Sequence, residues 1–79
     1  MLKNITVEKF IRALERDGFV LKRTSGSHRT YKNSVTGQRV TLSYHHSGDT
    51  IRIGTLNSLI TDAGWTEDDL IRLELIRRG

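Results

Sequence analysis

The chain has no cysteine among its 79 residues, which excludes disulfides and thiolate zinc sites and leaves stability to packing, helix caps and a partner. Long apolar runs are missing as well. Nothing approaches the roughly 20 residues that span a bilayer, and the opening MLKNITVEKF has no signal-peptide apolar region, so a cytoplasmic protein with no membrane partner is expected. A chain this short buries only about 60% of the surface its unfolded form exposes. The expectation is one small domain over residues 1–79 without a deep substrate cavity.

Carboxylates are scarce in one place in particular. Between residues 18 and 53 six cations, Lys22, Arg23, Arg29, Lys32, Arg39 and Arg52, face the single carboxylate Asp49, a local balance of six minus one, or +5, out of +4 for the whole chain. The flanking segments carry +1 and −2. A polyanion therefore finds its best attraction in the middle of the chain, although a solvated basic face that only maintains solubility has the same composition.

The patterning predicts an α+β order. Thr6 is placed to cap a first helix whose Val7, Phe10, Ile11 and Leu14 fall at i, i+3, i+4 and i+7, with Gly18 as its stop. FVLKRT from Phe19 to Thr24, HRTYKN from His28 to Asn33 and RVTLSY from Arg39 to Tyr44 read as strands, separated by Ser25-Gly26-Ser27 and SVTGQ turns. On the last of these, Val40, Leu42 and Tyr44 share one face and Arg39, Thr41 and Ser43 the other. Thr55 is expected to open a second helix ended by Gly64, and Thr66 with Asp69 resembles a capping box for a third, in which Leu70, Ile71 and Leu73 cover the core edge. Trp65 is expected to plug the joint between them and Phe10 and Phe19 to belong to the apolar patterns, while Tyr31 has two readings, stacking on a base or packing in the core, of which the core is preferred. The result is an antiparallel three-stranded meander with helices on one face and the other face free for a ligand.

His28 is the acid–base residue that this pattern places amid positive charge. RNA cleavage by its own 2′-hydroxyl needs a proton taken from one oxygen and given to another, together with neutralisation of phosphate charge. A histidine suits the first need and Arg or Lys the second. A lone histidine after a turn also fits a structural or merely exposed role, and the turn does not choose between them.

Two further features have weaker readings. His45 and His46, with His28 as a third ligand, invite a metal site, but adjacent residues of an extended chain point opposite ways and Asp49 is the one carboxylate nearby. The preferred reading has His45 closing the third strand and His46 exposed. Gly54-Thr55 offers helix N-terminal N–H groups to a phosphate, with Arg52 just before them, yet helix capping alone would explain Thr55. With no clustered carboxylates and no convincing zinc set, neither a metal nor a cofactor is expected.

Taken in order, Gly18-Phe19-Val20 leading to Lys22-Arg23, Gly26-Ser27-His28 with Tyr31, Gly54-Thr55-Leu56 and Ala63-Gly64-Trp65 resemble the HicA family over about residues 7–73. Where that family usually has a Pro-x-His near the end of the third strand, this chain has Ser43-Tyr44 before His45-His46, which leaves the alignment of the second histidine open by one residue. The resemblance implies a fold like that of double-stranded-RNA-binding domains and the activity of an mRNA interferase, a toxin endoribonuclease paired with a HicB-like antitoxin. It also implies that His28 of the GSH turn is the catalytic residue. RNA contacts are then expected from Lys22, Arg23, Ser27, Arg29, Lys32, Arg52 and Thr55. A non-catalytic RNA-binding module using the same basic face, and a purely structural interaction domain, are the competing readings.

Overall fold

A computed structural model describes residues 2–46 and 48–77; Met1, Ser47, Arg78 and Gly79 lie outside the described residues. A two-residue strand, β1 (Ile5–Thr6), leads directly into helix α1 (Val7–Arg16), where the Thr6 hydroxyl accepts the Lys9 N–H at 3.1 Å as expected of a cap. The stripe formed by Val7, Phe10 and Leu14 is buried, and the helix stops where Gly18 turns to a φ of 91°.

Strands β2 (Phe19–Ser25), β3 (His28–Asn33) and β4 (Arg39–Ser43) form the antiparallel meander, in the order β2-β3-β4. Their pairing assigns the two faces. Phe19, Tyr31, Val40 and Leu42 turn to the helices and are buried, whereas His28 lies opposite Ser25 and Ser43 on the other face, followed by Thr30 opposite Thr41. A hydrogen bond of 3.0 Å between the Thr30 and Thr41 hydroxyls marks that open face. The β2–β3 register slips between Leu21 and Arg23, leaving Lys22 as one extra residue. Strict alternation from Phe19 would have put Arg23 on the helix side; the bulge moves it beside Thr30, on the face of His28.

Past β4 the structure differs from the sequence expectation at three points. The strand ends at Ser43, so neither Tyr44 nor His45 closes it, although the Tyr44 N–H still reaches the Ser27 carbonyl at 2.6 Å. A short strand β5 (Thr50–Ile51) pairs antiparallel with β1, Ile5 opposite Ile51; two residues are too few to show an alternation. Helix α2 (Ile53–Ala63) begins two residues before Thr55, with Arg52 at the N-cap position and no side-chain bond from it. The capping oxygen comes instead from Asn4, whose Oδ1 accepts the Ile53 N–H at 3.1 Å from the far end of the sequence.

Gly64 ends α2 in the left-handed conformation, at a φ of 73°. Helix α3 (Glu67–Arg72) follows with the expected capping box, Thr66 and Asp69 each bonding the other's backbone N–H. Thr66 backbone donation, then the Arg72 guanidinium, holds the Asp69 carboxyl below its usual range. Trp65 occupies the joint, 5.5 Å from the Phe10 ring and edge-on to Phe19, and its Nε1 donates to Asp17 at 2.6 Å. Leu73 and, beyond the expectation, Leu75 are buried at the core edge, with Leu70 packed against it. Asn33 is the one buried polar residue of the core region among the described residues. Its amide donates to the Asp17 carbonyl at 3.0 Å and its Oδ1 accepts from Val35 and Thr36, at 2.8 and 3.1 Å, shaping the β3–β4 turn.

Candidate active site

The hairpin turn that delivers His28 depends on Gly26, at a φ of 59°, where a side chain would be strained although space is open around it. His28 follows as the first residue of β3 and is exposed. The Ser27 carbonyl ties this turn to Tyr44 on the chain leaving β4, so the two segments that carry His28 and His45 are held side by side.

Both histidines line one cleft of about 600 Å³ along the outer edge of β4. Its walls also include Ser43, Asp49, Arg52 and Thr55, and its apolar part is formed by Val7, Ile51 and Leu59. Asp49 is fixed three times: its carbonyl accepts the Val7 N–H at 2.7 Å, its Oδ2 accepts the His46 N–H at 3.1 Å, and its own N–H donates to the His46 carbonyl at 3.1 Å. The β1–β5 pair therefore anchors the wall between His45 and α2 against the start of α1.

At the α2 end of the cleft, Asn4 takes the Ile53 N–H and the Leu56 N–H already reaches the Arg52 carbonyl at 2.8 Å. The Gly54 and Thr55 N–H groups between them have no protein acceptor among the described residues. Arg52 and Thr55 are exposed there. Arg52 and Thr55 thus open on the same cleft as two imidazoles, an arrangement suited to a phosphate with its reacting oxygens.

The other residues singled out from the sequence divide between two faces. Arg23 continues the open face from His28, and Lys32 with its cross-strand partner Arg39 extends it toward the far end of the sheet. Lys22 is exposed at the bulge and Ser27 is half-buried in the turn. Arg29 lies on the reverse face, where its guanidinium sits 3.6 Å above the Tyr44 ring. It flanks His28 in sequence, but the strand alternation separates the two side chains.

Sequence reasoning left two cleft residues, His45 and Asp49, without a role. Their position depends on the Tyr44–Ser27 bond and on the β1–β5 pairing, neither of which has a local signal. Although His28, His45 and Asp49 share the cleft, no three His, Asp or Glu side chains come together as a metal-binding set among the described residues. None of the described helices is long and apolar enough to cross a membrane.

No curated protein matches the chain closely enough to count as a relative. The family described as the HicA toxin of bacterial toxin–antitoxin does match, over residues 7–65. That span runs from the first residue of α1 through the sheet, the cleft and α2 to Trp65, and includes His28, His45 and Arg52. With three quarters of the sequence matched and the helix, meander and helix in the expected order, the chain belongs to the HicA toxin family.

Proposed function

We propose that this toxin is a metal-independent endoribonuclease that cleaves mRNA, with His28 as its catalytic residue. The observation that carries the reading is the shared cleft, which His28, Arg52 and Thr55 of the first turn of α2 line together at the end of a cationic sheet face. In this mechanism the RNA 2′-hydroxyl attacks the adjacent phosphorus as His28 takes its proton. The P–O2′ bond forms, the P–O5′ bond breaks as O5′ takes up a proton from a second donor, and the products carry a 2′,3′-cyclic phosphate and a 5′-hydroxyl. Arg52 and the Gly54 and Thr55 N–H groups neutralise the charge that grows on the phosphoryl oxygens.

Lys22, Arg23 and Lys32 hold the RNA backbone, with Ser27 contributing from the turn and Arg29 adding its charge from the reverse face. The work is done in the cytoplasm, and the protein is silenced by a HicB-like antitoxin that lays an acidic or hydrogen-bonding surface over the basic face and covers His28.

Melting, RNA binding and cleavage measured on one preparation of His28→Ala test the assignment. An exposed residue at a strand start carries little packing energy, so the variant is expected to melt with the parent and to bind RNA. Cleavage is expected to fall by roughly 10²–10⁴-fold. Parental cleavage by a normally folded variant overturns the catalytic role; salt-sensitive RNA binding by a parent protein that never cleaves favours the non-catalytic RNA-binding module instead.

A further inference from the structure

In-line displacement at phosphorus brings the attacking oxygen and the leaving oxygen to opposite sides of the reacting centre, so a single imidazole cannot serve both at once. The cleft holds a second one. We propose that His45 is the proton donor to the leaving group, which rests on the ribonuclease reading above and extends it to the other half of the proton transfer.

One observation separates His45 from its neighbour His46, and two more support its placement. Both rings are exposed, but His45 lines the cleft with His28, Arg52 and Thr55, whereas His46 is absent from that lining. The backbone on either side is fixed, by the Tyr44 N–H on the Ser27 carbonyl at 2.6 Å and by the His46 N–H on Asp49 Oδ2 at 3.1 Å. His28 enters from the start of β3 and His45 from the chain leaving β4, so the two rings reach the opening from different segments. The step balances without any further reactant. As O2′ bonds to phosphorus, its proton passes to neutral His28. As the P–O5′ bond breaks, O5′ takes the proton of cationic His45, leaving that ring neutral and His28 charged. The charged and titratable groups that share the cleft with the donor are His28, Asp49 and Arg52.

The test compares an ordinary RNA oligonucleotide with one whose scissile 5′ oxygen is replaced by sulfur, a leaving group that departs without a proton. His45→Ala is expected to melt with the parent, to bind the ordinary RNA, and to cleave it roughly 10²–10⁴-fold more slowly. The same variant should cleave the 5′-thio substrate within a few-fold of the parental rate. His28→Ala should be slow on both substrates and His46→Ala on neither. Parental cleavage of ordinary RNA by His45→Ala overturns the proposal, and so does an equal loss on the two substrates, which would assign the ring to binding. A parent protein that cleaves neither substrate overturns the ribonuclease reading, and this inference with it. If His28→Ala is slow on both and His45→Ala on neither, the ribonuclease reading stands and only the donor falls.

Discussion

Around Phe10 the chain closes completely: its ring is fully buried, Trp65 packs against it and against Phe19, and Asn33 and the Trp65 Nε1 have their hydrogen bonds made to Asp17. Around His28 the chain stays open, with exposed side chains, a bulge, a turn and free backbone donors. The charges are divided in the same way. Asp17 and Asp69 face Arg72 across the helical side at 2.8 and 3.0 Å, while the cations of the sheet have few carboxylates near them. One region has used its polar groups internally and the other leaves them exposed, where the proposed function places RNA. Truncation should therefore damage stability in the first region and chemistry or binding in the second.

That contrast is broken most strongly at Phe10. Phe10→Ala removes a fully buried ring and is expected to cost about 3–5 kcal/mol, a large part of the stability of a domain this small. Chemical denaturation measures it, and folding, binding and cleavage should be lost together, unlike the selective loss at His28. A Phe10→Ala protein that stays as stable as the parent would mean that the core does not depend on this ring.

On the open side, the double variant Arg23→Glu, Lys32→Glu should leave denaturation unchanged and weaken binding of every RNA sequence alike. Removing two phosphate contacts makes the slope of log affinity against log salt shallower by about 2. Titrations at several salt concentrations check this, and an unchanged slope would take these cations out of the interface.

The smallest effect is expected at the α3 cap. Asp69→Ala should cost about 1 kcal/mol at neutral pH without altering RNA binding. The folded-state pKa of Asp69 lies below its ordinary value, so the stability it contributes is fully present above the unfolded-state pKa and is lost as pH falls through the folded-state pKa. The gap between variant and parent in thermal melts should narrow accordingly under acid; a gap that does not change with pH would mean that the carboxylate charge plays no part in the cap.

The sequence by itself determined the elements whose signals are local. The i, i+3, i+4, i+7 stripe of α1, the alternation of β4, the glycines at positions 18, 26 and 64 and the Thr66–Asp69 box each state their own structure within a few residues, and each is where it was expected. His28 was legible for the same reason, since turn, strand start and charge are adjacent in sequence. Tertiary structure alone decided what depends on distant partners. The bulge at Lys22 transferred Arg23 to the face of His28, Asn4 capped a helix 49 positions away, and the pairing of β1 with β5 fixed the wall behind His45. Backbone groups must be satisfied by whatever the fold brings near them, and which partners those are is a property of the packed chain that no short segment encodes.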